Sequence, residues 1–426
     1  MKRVCLLVVG IVLVLAGCGG SGGSGGGSSS SKGGHVNIVL WHGYTGVEAT
    51  AIKTLTQQFN ATHPNITVTA QFYGNSDYAL QKVLAAIAGG KPPDISYLYG
   101  SWAANIATNP TTVNLVPYLN GFGWNDFWVA ERHVATVNGK VVGIPALVDN
   151  LALVYNKRLF AQAHLAPPTP NWTWSDFENA AIKLTDPSKK QFGWAYVNDA
   201  SEDTVWRYWA LLWQAGGSIL TPDGKHAAFD SPAGMKALTF LQTLASHNAI
   251  YLDNGSDNYL GLFTSGHIGM LYTGPWDLSS IIQGNQPYGV QVLPAELNHQ
   301  TISGPDNWVV FNNGSAHVRA AVEFLKWFTS APIDLKWSLM TGDLPIRASV
   351  TKLPGYSQYV KKYPGIGVWV QNLNNATQSR PVTTTYPKIS TVIGQMVQSV
   401  LLGKAQPQQA LSQAAQQVNG ILAAPS

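Results

Sequence analysis

Two cysteines serve the whole 426-residue chain, Cys5 and Cys18, and both fall within its first eighteen positions. Everything after Cys18 therefore lacks a disulfide, a thiolate metal site and a cysteine nucleophile. Charge is scarce too. Charged residues make up 11% of the chain, against roughly 25% in an average soluble protein, so Asn, Gln, Ser and Thr must wet the surface, as in secreted proteins. The formal charge of +4 is carried without any long basic run, which excludes a nucleic-acid partner. After Leu15 no stretch is long and apolar enough to cross a membrane.

What is present begins with a leader. Lys2 and Arg3 precede an apolar run from Val4 to Leu15, which is too short to span a bilayer as a helix, and small residues follow. Residues 1–17 thus read as a signal peptide. Its end, "LAGC", resembles the bacterial lipoprotein lipobox, which implies cleavage before Cys18, acylation of the Cys18 thiol and a membrane anchor on the outer face of the cell. Residues 18–34 are nearly all Gly and Ser, a flexible coil with a reach of about 20–25 Å. Glycine motifs inside this run follow from its composition and lack the strand and helix that would give them meaning.

From His35 onward strand and helix patterns alternate. "HVNIVLWHG" predicts a strand, "EATAIKTLTQQFNATHP" a helix ending before Pro64, "NITVTAQFY" a period-two strand, "YALQKVLAAIAGGKPP" a helix and "DISYLY" another strand. This order implies a parallel or mixed sheet covered by helices, with ligand at the carboxyl ends of its strands. "NWTWSDFENAAIKLTD" predicts a helix capped by Ser175, with Glu178 completing a capping box. "VWRYWALLWQAGGSIL" and "PAGMKALTFLQTLASHN" predict helices closed by Gly or Asn. "AHVRAAVEFLKWFTSAPIDLKWSLMT" is one helix or two, and the tail from Thr383 is helical.

The segments "IVLWHGYTG", "KPPDISYLY", "NGKVVGIPALVDNLALVYNKRLF", "GMLYTGPWDL", "YGVQVLPAE", "TGDLPIR" and "VLLGKAQPQQAL" resemble, in order, the extracellular solute-binding proteins of carbohydrate ABC importers, the group that includes the maltose and glycerol-phosphate binders. The resemblance covers the chain after residue 35. It implies an α/β fold of two lobes, the type II periplasmic-binding-protein-like fold, joined by hinge strands around a ligand cleft. The lobes are expected at 36–148 with 295–343, and at 149–294 with 344–426. A monomer without cofactor or metal, delivering a carbohydrate to the transmembrane permease of an ABC importer, is the implied function.

A sugar offers C–H faces and a rim of hydroxyls, so its binder needs flat aromatic platforms beside polar groups. Fifteen Trp are available. The resemblance places Trp276 in "TGPWDL" as a stacking ring, presented by Gly274. It also offers Trp206, although Trp209 and Trp213 follow it at helical spacing and the stripe reads equally as core. On the first lobe it places His42 and Tyr44 past a strand, and Tyr99, Ser101 and Trp102 past another. The relatives' charged sugar ligands are neutral at Ser101 and Trp102, which speaks against maltose itself.

Asp149 matches an acidic ligand position and suits a vicinal diol, or else caps the hinge strand. Gly304 and Asp306 match a loop that meets ligand across the cleft. Arg380 has a counterpart in glycerol-phosphate binders, and its guanidinium suits either a phosphate or two hydroxyls; a solvated surface position fits it as well. Binding of glycerol phosphate or a glycerophosphodiester is thus the alternative. A secreted glycoside hydrolase is more remote, because no pair of carboxyls falls on a recognisable barrel-strand end.

Overall fold

The computed structural model describes residues 34–424 apart from Asn75. The leader, Cys18 and the glycine–serine run before Gly34 lie outside the described residues. In chain order the strands are β1 (Val36–His42), β2 (Ile66–Phe72), β3 (Ile95–Tyr99), the short pair β4 (Thr136–Val137) and β5 (Lys140–Val141), β6 (Ile144–Leu147), β7 (Ala152–Asn156), β8 (Phe192–Val197), β9 (Ile250–Asp253), β10 (Ile268–Thr273), β11 (Tyr288–Gln291) and β12 (Asp306–Val310).

Two five-stranded mixed sheets result, in the orders β2-β1-β3-β12-β6 and β11-β7-β10-β8-β9. In the first, β1 runs parallel to β2 and β3, while β12 lies antiparallel between β3 and β6. In the second, β8 is parallel to β9 and β10, and β7 runs antiparallel to β10 and β11. Every residue of β7, β10 and β12 is buried. Such unbroken burial needs helices on both faces of the sheet.

The helices follow from their apolar spacing. Gly46–Thr62 buries Ala51, Ile52, Leu55 and Phe59 on one stripe, and Phe59 meets Phe324 of the helix Ser315–Phe328 edge-on at 5.0 Å. The stretch read as one helix or two is two, the second being Ala331–Thr341 with Pro332 in its first turn. Glu202–Gln214 is buried from Thr204 to its end, as expected of a helix apolar nearly all round. The tail is helical as expected and forms two helices, Tyr386–Leu401 and Pro407–Ala423; Gly403 at φ 67° follows the first.

The expected cap at Ser175 is displaced. The cap is Thr173, whose hydroxyl accepts the Asp176 N–H at 3.2 Å while Asp176 accepts the Thr173 N–H at 2.9 Å. Both halves of a capping box therefore close two residues earlier, and the helix Trp174–Leu184 starts with Trp174 buried.

Two passages carry the chain from sheet to sheet, residues 148–151 and 292–305, and they meet in an antiparallel bridge between Asn150 and Ser303. Asn150 is fully buried and donates to the Trp369 carbonyl at 2.9 Å. Asn372, also buried, donates to the Asn150 side chain at 2.9 Å and to the Leu151 carbonyl at 2.8 Å. The stretch after Asp343 returns to the first sheet's side: Arg347 donates to the carbonyls of Phe122 and Thr329, and Ser349 to Asp126.

Replacing Asn372 by Ala orphans the Asn150 amide oxygen in a buried site, a loss of about 1–3 kcal/mol. Urea unfolding of Asn372→Ala against wild type checks it; an unchanged midpoint would contradict a structural role for this crossing.

Candidate functional site

Between the two sheets lies a cavity of about 410 Å³, within the size range of small-molecule sites. Strand ends build it. Gly43, Tyr44 and Thr45 follow β1, Tyr97 and Tyr99 close β3, Asp149 follows β6, and Gly304 and Asp306 open β12. From the second sheet come Pro275, Trp276 and Asp277 after β10, and Glu202, Asp203 and Trp206 from the start of the helix Glu202–Gln214. Arg380, Glu48, Asp257, Tyr259 and Asp343 line it as well.

Trp206 and Trp276 face the cavity as a tilted pair, with ring centroids 5.7 Å apart and planes at 53°. Of the indole stripe on that helix, only Trp206 reaches the cavity; Trp209 and Trp213 are core, and Trp209 donates to the Tyr386 hydroxyl at 3.1 Å. Gly274 is not in the lining. It lies beneath the Trp276 indole, where an added Cβ would stand 1.9 Å from the ring, so only glycine lets this tryptophan fold back over its own turn.

Asp149 accepts the Gly304 N–H at 2.8 Å. A Cβ at Gly304 would press on this carboxylate at 2.7 Å and on Trp206 at 3.2 Å. Asp149, Gly304 and Trp206 are thus one packed unit. Asp306 accepts the Tyr97 hydroxyl and the Gly100 N–H. Burial pushes its carboxyl up to about 7, against the pull of Tyr97 and Arg380. Burial and then Asp306 raise Asp149 well above the carboxylate range, and burial with Asp343 and Asp149 does the same to Glu48. Asp277 is held by the hydroxyls of Thr273 at 2.5 Å and Tyr259 at 2.8 Å, and burial pushes it to about 6.

Arg380 is not a solvated surface residue. Its side chain is 8% exposed and donates to Glu202 at 2.8 Å. Glu202 also accepts the hydroxyls of Tyr386 and Ser390, so the arginine is anchored to the helix Tyr386–Leu401.

The structure therefore brings Trp276, Trp206, Asp149, Tyr44, Tyr99, Gly304, Asp306 and Arg380 to one cavity. It does not bring His42, Ser101, Trp102 or Gly274 into the lining. His42 shares the buried face of β1 with Ile38 and Leu40, because side chains alternate along a strand, and it stacks behind Tyr44 at 5.9 Å; burial lowers it to about 4. Ser101 and Trp102 sit in the buried turn Gly100–Trp102, where Trp102 packs with Leu98 and Val142.

Sequence reading missed Glu48, Glu202, Asp203, Tyr259, Asp277 and Asp343. Asp277 adjoins Trp276 and was within reach of the same motif. Asp343 belongs to "TGDLPIR", which reads as turn residues until Trp337 is seen donating to its carboxylate at 2.8 Å.

Residues 54–366 match the family of bacterial extracellular solute-binding proteins. The chain belongs to this family. It is 23% identical over 409 residues to the sn-glycerol-3-phosphate-binding periplasmic protein UgpB of Pectobacterium atrosepticum, covering 91% of both chains. Its fold is similar to the cyclic α-maltosyl-1,6-maltose binding protein of Arthrobacter globiformis, with a TM-score of 0.79 and 29% identity over 91% of this chain and 99% of that one. It is similar also to an ABC transporter solute-binding protein of Thermotoga lettingae bound with α-D-tagatose, with a TM-score of 0.81 and 27% identity over the same shares. A solute-binding protein of this family holds its ligand without transforming it and works in the periplasm or outside the cell; it is not an enzyme.

The raised carboxyls make the empty solute-binding protein sensitive to pH. The native state keeps the Asp306 proton up to about 7, whereas an unfolded chain releases it near 3.9. Stability therefore falls as pH rises through that interval. Asp334, pushed by burial to about 8, acts in the same direction. His42 acts oppositely, but only between about 4 and its unfolded value near 6.5. The melting temperature of ligand-free protein should fall from pH 6.5 to 8, chiefly through Asp334, and Asp334→Asn should flatten the fall whereas Asp306→Asn should remove only its part below about pH 7. Differential scanning fluorimetry decides; a melting temperature that rises over this range refutes the assignment.

Proposed function

We propose that this protein captures a carbohydrate outside the cell and presents it to the membrane permease of an ABC importer. The observation that carries the reading is the tilted Trp206–Trp276 pair facing hydrogen-bonding carboxylates across a cleft between two sheets. Indole faces suit the C–H face of a sugar ring, and carboxylates accept from its hydroxyls with charge-assisted strength. Two of the relatives named above carry sugar in their descriptions, a maltose-derived cycle and tagatose.

The ligand-binding set is proposed as Trp206, Trp276, Tyr44, Tyr99, Asp149, Gly304, Asp306 and Arg380. The first lobe is drawn as 36–148 with 295–343, extended through residues 344–352 because Arg347 and Ser349 bond to residues 122–126. The second lobe is drawn as 149–294 with the remainder of the chain. Lobe closure traps the sugar, which need favour the closed form by only a few kcal/mol to shift most molecules into it. Cys18 carries the lipid that keeps a monomeric receptor at the outer membrane face, and the glycine–serine run is its leash.

A glycerol-phosphate ligand is the second reading, favoured by the UgpB relative and by Arg380. Against it, that guanidinium is engaged by Glu202, and the surrounding lining is rich in carboxylates.

Tryptophan fluorescence titrated with mono- and disaccharides and with sn-glycerol 3-phosphate tests the proposal. Saturable binding is expected for a sugar, and Trp276→Ala should weaken it at least about tenfold with the melting temperature kept; binding of the phosphate alone would replace the carbohydrate reading. Fatty-acid labelling of cells checks the anchor. Label should be present on the wild type and absent from Cys18→Ser, and label retained by the variant would refute it.

A further inference from the structure

The charge of the cleft does not match the charge of the chain. The whole sequence is formally +4, yet eight of its 22 carboxylates line this cavity with a single guanidinium among them. Two of the eight are neutralised within the protein, Glu202 by Arg380 at 2.8 Å and Asp203 by the buried Arg207. Among the described residues none of the other six is ion-paired: Glu48, Asp149, Asp257, Asp277, Asp306 and Asp343. Their donors are neutral, namely the Gly304 N–H on Asp149, hydroxyls on Asp277 and Asp306, and the Trp337 indole on Asp343. Glu48 and Asp257 accept no hydrogen bond from the described residues.

A second observation points into the same space. Tyr44 lines the cavity, is 5% exposed, and its hydroxyl has no hydrogen-bond partner among the described residues. It lies within electrostatic range of Glu48, Asp343 and Asp306. A buried polar group left without a partner is unfavourable, so a ligand that completes this hydroxyl is favoured over one that does not.

The missing charge is not that of a metal ion. Among the described residues no three acidic or imidazole groups converge closely enough to hold one. Six such carboxyls in a cavity of about 410 Å³ suit a larger ligand that carries its own positive charge. Indole faces attract cations as well as C–H bonds, so the Trp206–Trp276 pair serves both parts of such a molecule.

We infer that the ligand is an amine-bearing carbohydrate, its ring on the Trp206–Trp276 pair and its protonated amino group among Glu48, Asp306 and Asp343 beside the Tyr44 hydroxyl. This rests on the carbohydrate reading of the site and narrows it. A neutral sugar would leave these carboxyls to repel one another or to hold protons; an ammonium group supplies three donors and the countercharge together.

Matched pairs that differ only in the amine test it: glucosamine with N-acetylglucosamine, galactosamine with N-acetylgalactosamine, and the diamine of chitobiose with its diacetyl form, alongside maltose and sn-glycerol 3-phosphate. The free amine is expected to bind at least about tenfold more tightly than its acetylated partner at low salt, with the lead shrinking in about 0.5 M NaCl. Glu48→Gln should cut that lead about fivefold, and a lead unchanged by this variant overturns the placement of the amine. Equal or tighter binding of the acetylated forms overturns the inference while the carbohydrate reading stands. So does binding of maltose when no amino sugar binds. Binding of sn-glycerol 3-phosphate alone overturns both.

Discussion

The site depends on how two passages of chain are held together where they cross between the sheets. Residues 148–151 and 292–305 meet at the Asn150–Ser303 bridge, and the Asn150–Asn372 pair locks that bridge to the helix Ile366–Asn372. One residue either side, Asp149 takes the Gly304 N–H. The same contact that ties the crossing also sets a carboxylate against the edge of Trp206. Hinge and ligand surface are therefore not separable parts: a displacement of one strand past the other moves a polar group within the cleft.

Around this crossing the protein accepts a costly arrangement. Carboxyls whose donors are neutral are buried there, and several are pushed toward neutrality by that burial. A comparable group elsewhere is treated differently: Asp126 pairs with Arg347. The contrast marks the cleft as the place where polar capacity is left uncommitted. Sites of this kind carry selectivity, because a ligand that fails to complete the buried polar groups leaves them unpaired.

Much of the fold was legible because its signals are local. Strand and helix periods gave the alternation from Val36 onward, whereas Trp276 in "TGPWDL" was reached only through the resemblance to the solute-binding proteins. What failed did so where chain neighbours point in opposite directions. His42 and Tyr44 sit two apart around Gly43, yet one follows the buried face of β1 and the other the cleft. Ser101 and Trp102 follow a strand end that bends inward after Gly100. Glu48 and Asp343 stand nearly 300 positions apart, and their proximity comes only from the packing of helices Gly46–Thr62 and Ala331–Thr341. No local pattern encodes such a meeting. Thr173 was missed for a simpler reason: two overlapping capping boxes compete, and the earlier one wins by burying Trp174.

The place of β12 in the first sheet has a kinetic meaning. It lies between β3 and β6, although the whole second sheet separates it from both in the chain. Until residue 310 is available, the first sheet can be only a three-strand fragment, β2-β1-β3, with β6 left unpaired beside it. The first sheet to be started is thus the later to finish, and its half-built edge waits while some 150 residues are added. A chain that reached the cell exterior in sequence order would hold that open edge throughout, and the return of one five-residue strand would close the sheet and create the mouth of the cleft in a single event.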